Sequence, residues 1–185
     1  FPYTTLFRSV LSSTGAVGAV GTDGALRTDV DKLTVSSSAA VGSGDLVIRN
    51  TGDVAVVSVS TASNVSLTST GEITDATSDT VLDISAAGLT LVAATGVTGL
   101  ETQVTSLTVT TSSGDVSLSE ADALTINSVD AQSATSTVTL SVGGDVMAGS
   151  GSAANILANS LVLSSTGAVG AVGTAGALRT DVDKL

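Results

Sequence analysis

One long block occurs twice in this chain, almost unchanged. Val10–Leu33 reads VLSSTGAVGAVGTDGALRTDVDKL, and Val162–Leu185, at an offset of 152, is identical except that Ala175 stands where the first copy has Asp23. Chance does not produce such a match. A chain that repeats itself this way reads as an array of stacked units, each burying its apolar face on the next. A weaker half-period runs inside the long one. Leu26–Val35 aligns with Leu100–Val109 at an offset of 74, Gly44-Asp45 with Gly114-Asp115, Val54 with Leu124, Val65 with Val138 and Leu89 with Leu161. The offsets drift between 70 and 74, as they do when loops change length and the strand pattern is kept. The weaker related block therefore starts at Leu100, and the chain reads as about two superunits of a longer array, truncated at both ends.

Short alternating segments recur within each superunit. They are Leu33-Thr34-Val35, Leu46-Val47-Ile48, Val54–Val59, Val65-Ser66-Leu67, Val81–Ile84, Leu89-Thr90-Leu91, Leu107-Thr108-Val109, Val116-Ser117-Leu118, Leu124-Thr125-Ile126, Val138-Thr139-Leu140 and Leu161-Val162-Leu163. Most read apolar, Ser or Thr, apolar, which is the period of two of a strand with one buried face. No stretch carries a helical stripe. Many of these strands follow one turn signal, a Gly then an acid then an aliphatic, as in Gly44-Asp45-Leu46, Gly52-Asp53-Val54, Gly71-Glu72-Ile73, Gly114-Asp115-Val116 and Gly144-Asp145-Val146. Gly adopts backbone angles that other residues avoid, and a short acid bonds nearby backbone, so one such corner per strand suits a coiled β-ribbon.

Composition narrows the fold further. Thr, Ser, Val, Ala, Gly and Leu fill 145 of the 185 positions, and 42% of residues are hydrophobic. Disordered chains are poor in β-branched residues and rich in charge and Pro, so this low complexity is not disorder. Side chains this small fill a thick globular core poorly, but they suit a thin core of stacked aliphatics. The expected fold is all-β: a β-solenoid, specifically a right-handed parallel β-helix. At roughly 20–25 residues per coil it would hold about seven to nine coils, making a rod on the order of 35–45 Å long.

The opening run FPYTTLFRS breaks with this pattern and contains every aromatic residue and the only Pro. It resembles the translation of a common short-read sequencing adapter. Residues 1–9 are therefore expected to be a non-native segment ahead of a solenoid region spanning 10–185, with the chain as a whole a fragment.

The runs Leu26–Val35, Gly44–Ile48, Gly52–Val59 and Ala121–Val129 resemble the repeats of filamentous-haemagglutinin-type bacterial surface proteins, giant secreted β-helical adhesins also described as β-strand-repeat proteins. The resemblance covers residues 10–185. It implies an extracellular place at the bacterial cell surface, associated with the outer membrane, and a role in adhesion or aggregation. The partners it implies are glycans, host or neighbouring-cell surfaces, or like molecules. The export domain of that family has no counterpart in these residues.

The chemistry is limited by what is missing. Without Cys or His there is no thiol catalysis, imidazole base or ordinary zinc site. A net charge of −11 argues against nucleic acid and anionic membranes as partners. Val146–Leu178 is free of charge, but Ser, Thr, Asn and Gly interrupt it throughout, so no membrane insertion is expected.

Asp29-Val30-Asp31 and its copy Asp181-Val182-Asp183 put two carboxylates on one strand face. A Ca²⁺ site or a glycosidase pair would use such residues, but Ca²⁺ takes six to eight oxygens. Gln103 and Thr105 stand at the aligned positions of the middle superunit. Both pairs read as solvated outer faces moderated by Lys32 and Lys184. The Gly-Asp corners read as turns, and Gly15, Gly18, Gly21 and Gly24, with Gly167, Gly170, Gly173 and Gly176, as tight strand-to-strand connections. Serine has no base to activate it, and Arg27, Lys32, Arg49, Arg179 and Lys184 largely repeat instead of converging. No catalytic, cofactor-binding or metal-ligating residue is expected, and no cofactor. The reading is a non-enzymatic rod that spaces or displays binding elements. The alternative is a β-helical carbohydrate-active enzyme of polysaccharide lyase or hydrolase type, recognisable by Asp and Arg or Lys converging in a cleft.

Overall fold

The computed structural model describes residues 7–19, 24–131, 133–151, 153–171 and 176–184. Residues 1–6 of the aromatic leader lie outside the described residues, as do Gly21, Asp23, Gly173 and Ala175. Among the described residues, fifteen strands pair in parallel as one sheet that winds into a β-solenoid of about eight turns. Among the described residues there is no helix, and so none long and apolar enough to cross a membrane.

The coils stack in columns of Cα partners. One column runs Leu11, Val35, Val59, Ile84, Thr102, Glu120, Val142 and Ser165. A second runs Val17, Leu46, Val65, Leu89, Leu107, Ile126 and Ala148. Each coil gives one segment to each of these two ladders. Along the first column the coils are not equally long. Those from Leu11 to Ile84 and from Glu120 to Ser165 have the expected length, but the steps from Ile84 to Thr102 and from Thr102 to Glu120 are shorter. The expected coil length therefore needs correcting in the middle of the rod, where the turn closes without an inserted loop.

Alternation builds the core as the pattern predicts. In Val116-Ser117-Leu118 and Val138-Thr139-Leu140 the aliphatics are buried and the residue between them turns outward. The inward aliphatics of successive coils touch, giving one continuous cluster from Val17 to Leu161. Full burial of each such side chain contributes about 1.5–3 kcal/mol, so the rod is held by many equivalent layers. One expected strand fails: Val81 and Leu82 are exposed, and the strand begins only at Ile84. Ala76–Asp83 is instead an excursion pinned by its own acids, with the Val81 N–H donating to Asp79 Oδ1 at 2.6 Å.

The two sequence periods have different structural meanings. The long repeat keeps its ladder: Val10 and Val162 both pair in the first, and Val17 and Val169 both bridge in the second. The offset of 70–74 exchanges ladders. Leu26 lies against Ile48 of the second ladder, whereas its counterpart Leu100 pairs with Leu118 of the first. Val65 and Val138, and Leu89 and Leu161, are exchanged in the same way. The elementary sequence unit is thus a half-coil, one corner and one strand, and both ladders are built from it. Arg8 and Ser9 continue the first strand, Arg8–Ser13, which pairs with Lys32–Ser37.

Candidate functional site

Acidic side chains at the corners are the recurrent polar feature of the rod. Asp45 Oδ1 accepts the Asn64 N–H at 3.0 Å, Asp53 Oδ1 that of Glu72 at 2.8 Å, Asp115 Oδ1 that of Thr137 at 2.8 Å and Asp145 Oδ1 that of Ala168 at 2.7 Å. In each case the donor lies at the corner of the following coil. The Gly-Asp pair therefore does more than turn the chain: its carboxylate makes a charge-assisted bond that clamps one coil to the next. Hydroxyls just ahead of the corners satisfy the glycine carbonyls of the preceding coil. Ser37 Oγ donates to Gly15 O at 2.8 Å, Thr61 Oγ1 to Gly44 O at 2.6 Å and Ser165 Oγ to Gly144 O at 2.6 Å. Ser and Thr are abundant at strand ends because each corner leaves backbone polar groups that need partners.

One place gathers acids. Asp75 ends a short strand, Asp83 closes the excursion after it, and Glu101 lies on the next coil in the strand Val97–Thr111. Their carboxylate oxygens lie within 4.8 Å of one another, the one such triad among the described residues. Asp83 is only 2% exposed, and its Oδ2 accepts the Glu101 N–H at 3.1 Å. Glu101 Oε2 is buried without a hydrogen-bond partner. Burial pushes Asp83 up to about 7; the Glu101 N–H opposes this, and the negative charges of Asp75 and Glu101 add to it. Burial likewise raises Glu101, with the charges of Asp75 and Asp79 adding. Burial also works to raise Asp75, but bonds from Thr77, Ser78 and Asp79 together outweigh it and leave that carboxyl below its ordinary value. Asp83, beside the raised Glu101 and an ionised Asp75, is thus able to hold a proton close to neutral pH. The adjoining open groove, about 470 Å³, is lined by Thr74, Asp75, Ser78, Asp79, Thr98, Gly99 and Glu101, without Arg or Lys. Three oxygens are about half of what a Ca²⁺ ion takes.

A second buried acid stands alone. Glu120 occupies an inward position of the first column, next to Thr102 and Val142. Its Oε2 accepts from Thr102 Oγ1 at 2.7 Å, its two oxygens take the Val104 N–H at 3.1 and 3.2 Å, and Oε1 takes the Asp122 N–H at 3.3 Å. It serves a corner as Ser and Thr do elsewhere. Burial pushes its carboxyl up to about 7 against these hydrogen bonds.

The repeated acids behave differently. Asp29, Asp31, Asp181 and Asp183 are exposed, and no third acid joins either pair among the described residues. Asp31 Oδ2 accepts the Phe7 N–H at 3.0 Å, and Asp183 Oδ2 accepts from Asn159 at 3.1 Å. Gly15, Gly18 and Gly24 border a loop closed by the Ala19 N–H on Gly24 O at 2.7 Å. Arg27 and Arg49 are neighbours on adjacent coils, while the Arg179 guanidinium donates to the carbonyls of Gly149, Ala153 and Ala177. The triad escaped sequence reading because Asp75, Asp83 and Glu101 share no motif and only the coil step from Ile84 to Thr102 brings them together. Compared with protein-family models, curated proteins and solved structures, the chain matches none.

Proposed function

We propose that this chain is a structural segment of a large exported bacterial surface protein, a stiff rod that spaces or displays binding elements. The observation that supports this reading is the coil-to-coil clamp. A continuous aliphatic core is reinforced at four corners by an Asp that bonds the next coil, a construction that resists bending and shear along the axis. The acidic, Ser- and Thr-rich exterior keeps such a rod soluble and offers shallow polar contacts to glycans or to like molecules. The carbohydrate-active alternative rests on one feature, the acid triad beside its open groove.

Beads coated with the chain and passed over immobilised acidic and neutral polysaccharides separate the two. The rod reading expects retention of the beads, with no reducing ends or unsaturated sugars released. Release of sugar that disappears in Asp83→Asn would overturn the rod in favour of the enzyme. Loss of retention relative to bare beads would overturn the adhesive part.

A further inference from the structure

The outer face of the second ladder sorts its charge along the rod. Strand pairing stacks Arg49, Thr68, Val92, Thr110 and Asp130 as one column of Cα partners on five successive coils. All five point away from the core, because their strand neighbours Ile48, Leu67, Leu91, Val109 and Val129 are buried. The column beside it carries Ser66, Thr90, Thr108 and Ser128 over the last four of these coils. Nothing bulky stands between the Arg and the Asp, so the face is flat. Val92 lies midway, two coils from each charge, and is 37% exposed between two threonines. Arg27, on the preceding coil, is the Cα partner of Arg49, and like charges stacked this way repel. The Arg49 guanidinium makes no hydrogen bond or ion pair among the described residues. From residue 51 to residue 178 the sequence contains no Lys or Arg. Positive charge in this column is therefore confined to the first coils, and negative charge follows it.

A face graded in this way is complementary to itself when one copy is turned end for end. We infer that it binds a second copy of this chain side by side, rods antiparallel and strands aligned, about a two-fold axis parallel to the strands at Val92. That rotation sets Val92 on Val92, Thr68 on Thr110 and Arg49 on Asp130, each unlike pair occurring twice. Arg27 then meets Leu157, whose column neighbours are Asp130 and Asp181. Laying the rods parallel instead sets the Arg coils on each other and the Asp coils on each other, and repels. A net charge of −11 opposes indiscriminate stacking in the same way, so the register that matches unlike charges is the favoured one. No buried residue has to be uncovered, and the contact is gained against the cost of association alone. Seven coils at about 4.8 Å, with five-residue strands of about 17 Å, cover roughly 550 Å² per partner. That total of about 1,100 Å² belongs to transient interfaces, so the pair forms at high concentration. The face looks sideways from the rod and is exposed whatever precedes or follows the chain. The inference rests on the like-molecule contact of the proposed function and names its surface.

Exchanging the charges tests it. Sedimentation equilibrium of the unsubstituted chain should show mass rising with concentration and levelling at the dimer, because a two-fold contact closes on itself. Arg49→Asp alone sets acid on acid at both ends of the contact, and Asp130→Arg alone sets Arg on Arg. Each variant should weaken pairing by about tenfold or more. An equimolar mixture of the two restores an unlike pair at both ends, so dimers should return in the mixture at concentrations where neither variant pairs alone. Val92→Asp, at the exposed centre, should break the parent dimer by itself, and circular dichroism checks that each variant keeps its strands. A parent that stays monomeric at every concentration would overturn the inference. So would dimers that survive in folded Arg49→Asp or Val92→Asp, a mixture no more dimeric than its components, or mass that climbs past the dimer. Beads that hold polysaccharide while the chain stays monomeric would remove this pair and leave the adhesive rod standing.

Discussion

The middle of the rod and its ends use the same half-coil differently. Between Ile84 and Glu120 the coils are at their shortest, and one strand, Val97–Thr111, runs without a break through both ladders. In the coils of both repeated blocks the corners open into glycine-rich loops and the outermost aliphatics are only partly covered. The difference shows where stability is held. A coil without loops has little to lose but its core and its corner bonds, whereas an end coil has a layer on one side only. Leu107→Ala breaks this comparison hardest. Leu107 is buried between Leu89 and Ile126, so truncation should lower the unfolding free energy by about 2–5 kcal/mol. Leu163→Ala, on the half-covered last coil, should cost about 1 kcal/mol or less. Urea denaturation followed by circular dichroism measures both, and equal losses would show that the end coils are as tightly held as the middle.

Glycine at equivalent loop positions sharpens the contrast. Gly18 and Gly170 both need positive φ, so alanine strains both by about 1 kcal/mol. Only at Gly18 does the next coil crowd the added methyl, which would strike the Val47 carbonyl oxygen and approach the Leu26 nitrogen to 2.7 Å. At Gly170 the nearest atom is the Leu178 nitrogen at 3.1 Å. Gly18→Ala should therefore cost about 2 kcal/mol more than Gly170→Ala, read as the difference in urea midpoint at dilute concentration.

The solenoid is legible in the chain because its determinants are local. Val116-Ser117-Leu118 and Val138-Thr139-Leu140 announce alternate burial, and Gly44-Asp45 and Gly114-Asp115 announce corners, each within a few neighbouring positions. The coil length is not local. Nothing between Ile84 and Glu120 says that so short a stretch closes a turn, since closure depends on whether a corner bulges outward or the strand runs on. The half-period of 70–74 is visible as a repeat, yet its exchange of ladders emerges only when Leu26 is seen against Ile48 and Leu100 against Leu118. The gathering of acids is not local either. Asp75, Asp83 and Glu101 are ordinary surface-type acids in one dimension, and Glu120 sits in a Ser-rich strand where the period of two points it inward among aliphatics.

Glu120 supplies the finest test of the contrast, because an inward carboxyl is tolerated only where a tight coil offers it backbone donors. Its ordinary value is 4.5, and in the folded rod burial lifts it to about 7. A raised carboxyl binds its proton more tightly folded than unfolded. Its contribution is therefore fully present below about pH 4.5 and is lost as pH climbs through 7. Asp83, also lifted to about 7 from 3.8 by burial, acts in the same direction. Asp75, held below its ordinary value, works oppositely but only at pH below about 4. The rod should therefore melt at a higher temperature at pH 5 than at pH 8, the reverse of ordinary acid denaturation. Glu120→Gln mimics the protonated acid and keeps an oxygen for the Val104 N–H. It should remove on the order of 1–2 kcal/mol of that pH dependence and leave the variant more stable than the parent at pH 8. Melting curves of the two proteins at both pH values decide it. Parallel shifts would mean that Glu120 stays ionised in the core, held by the Thr102, Val104 and Asp122 donors alone, and that the tight coils can carry a buried charge.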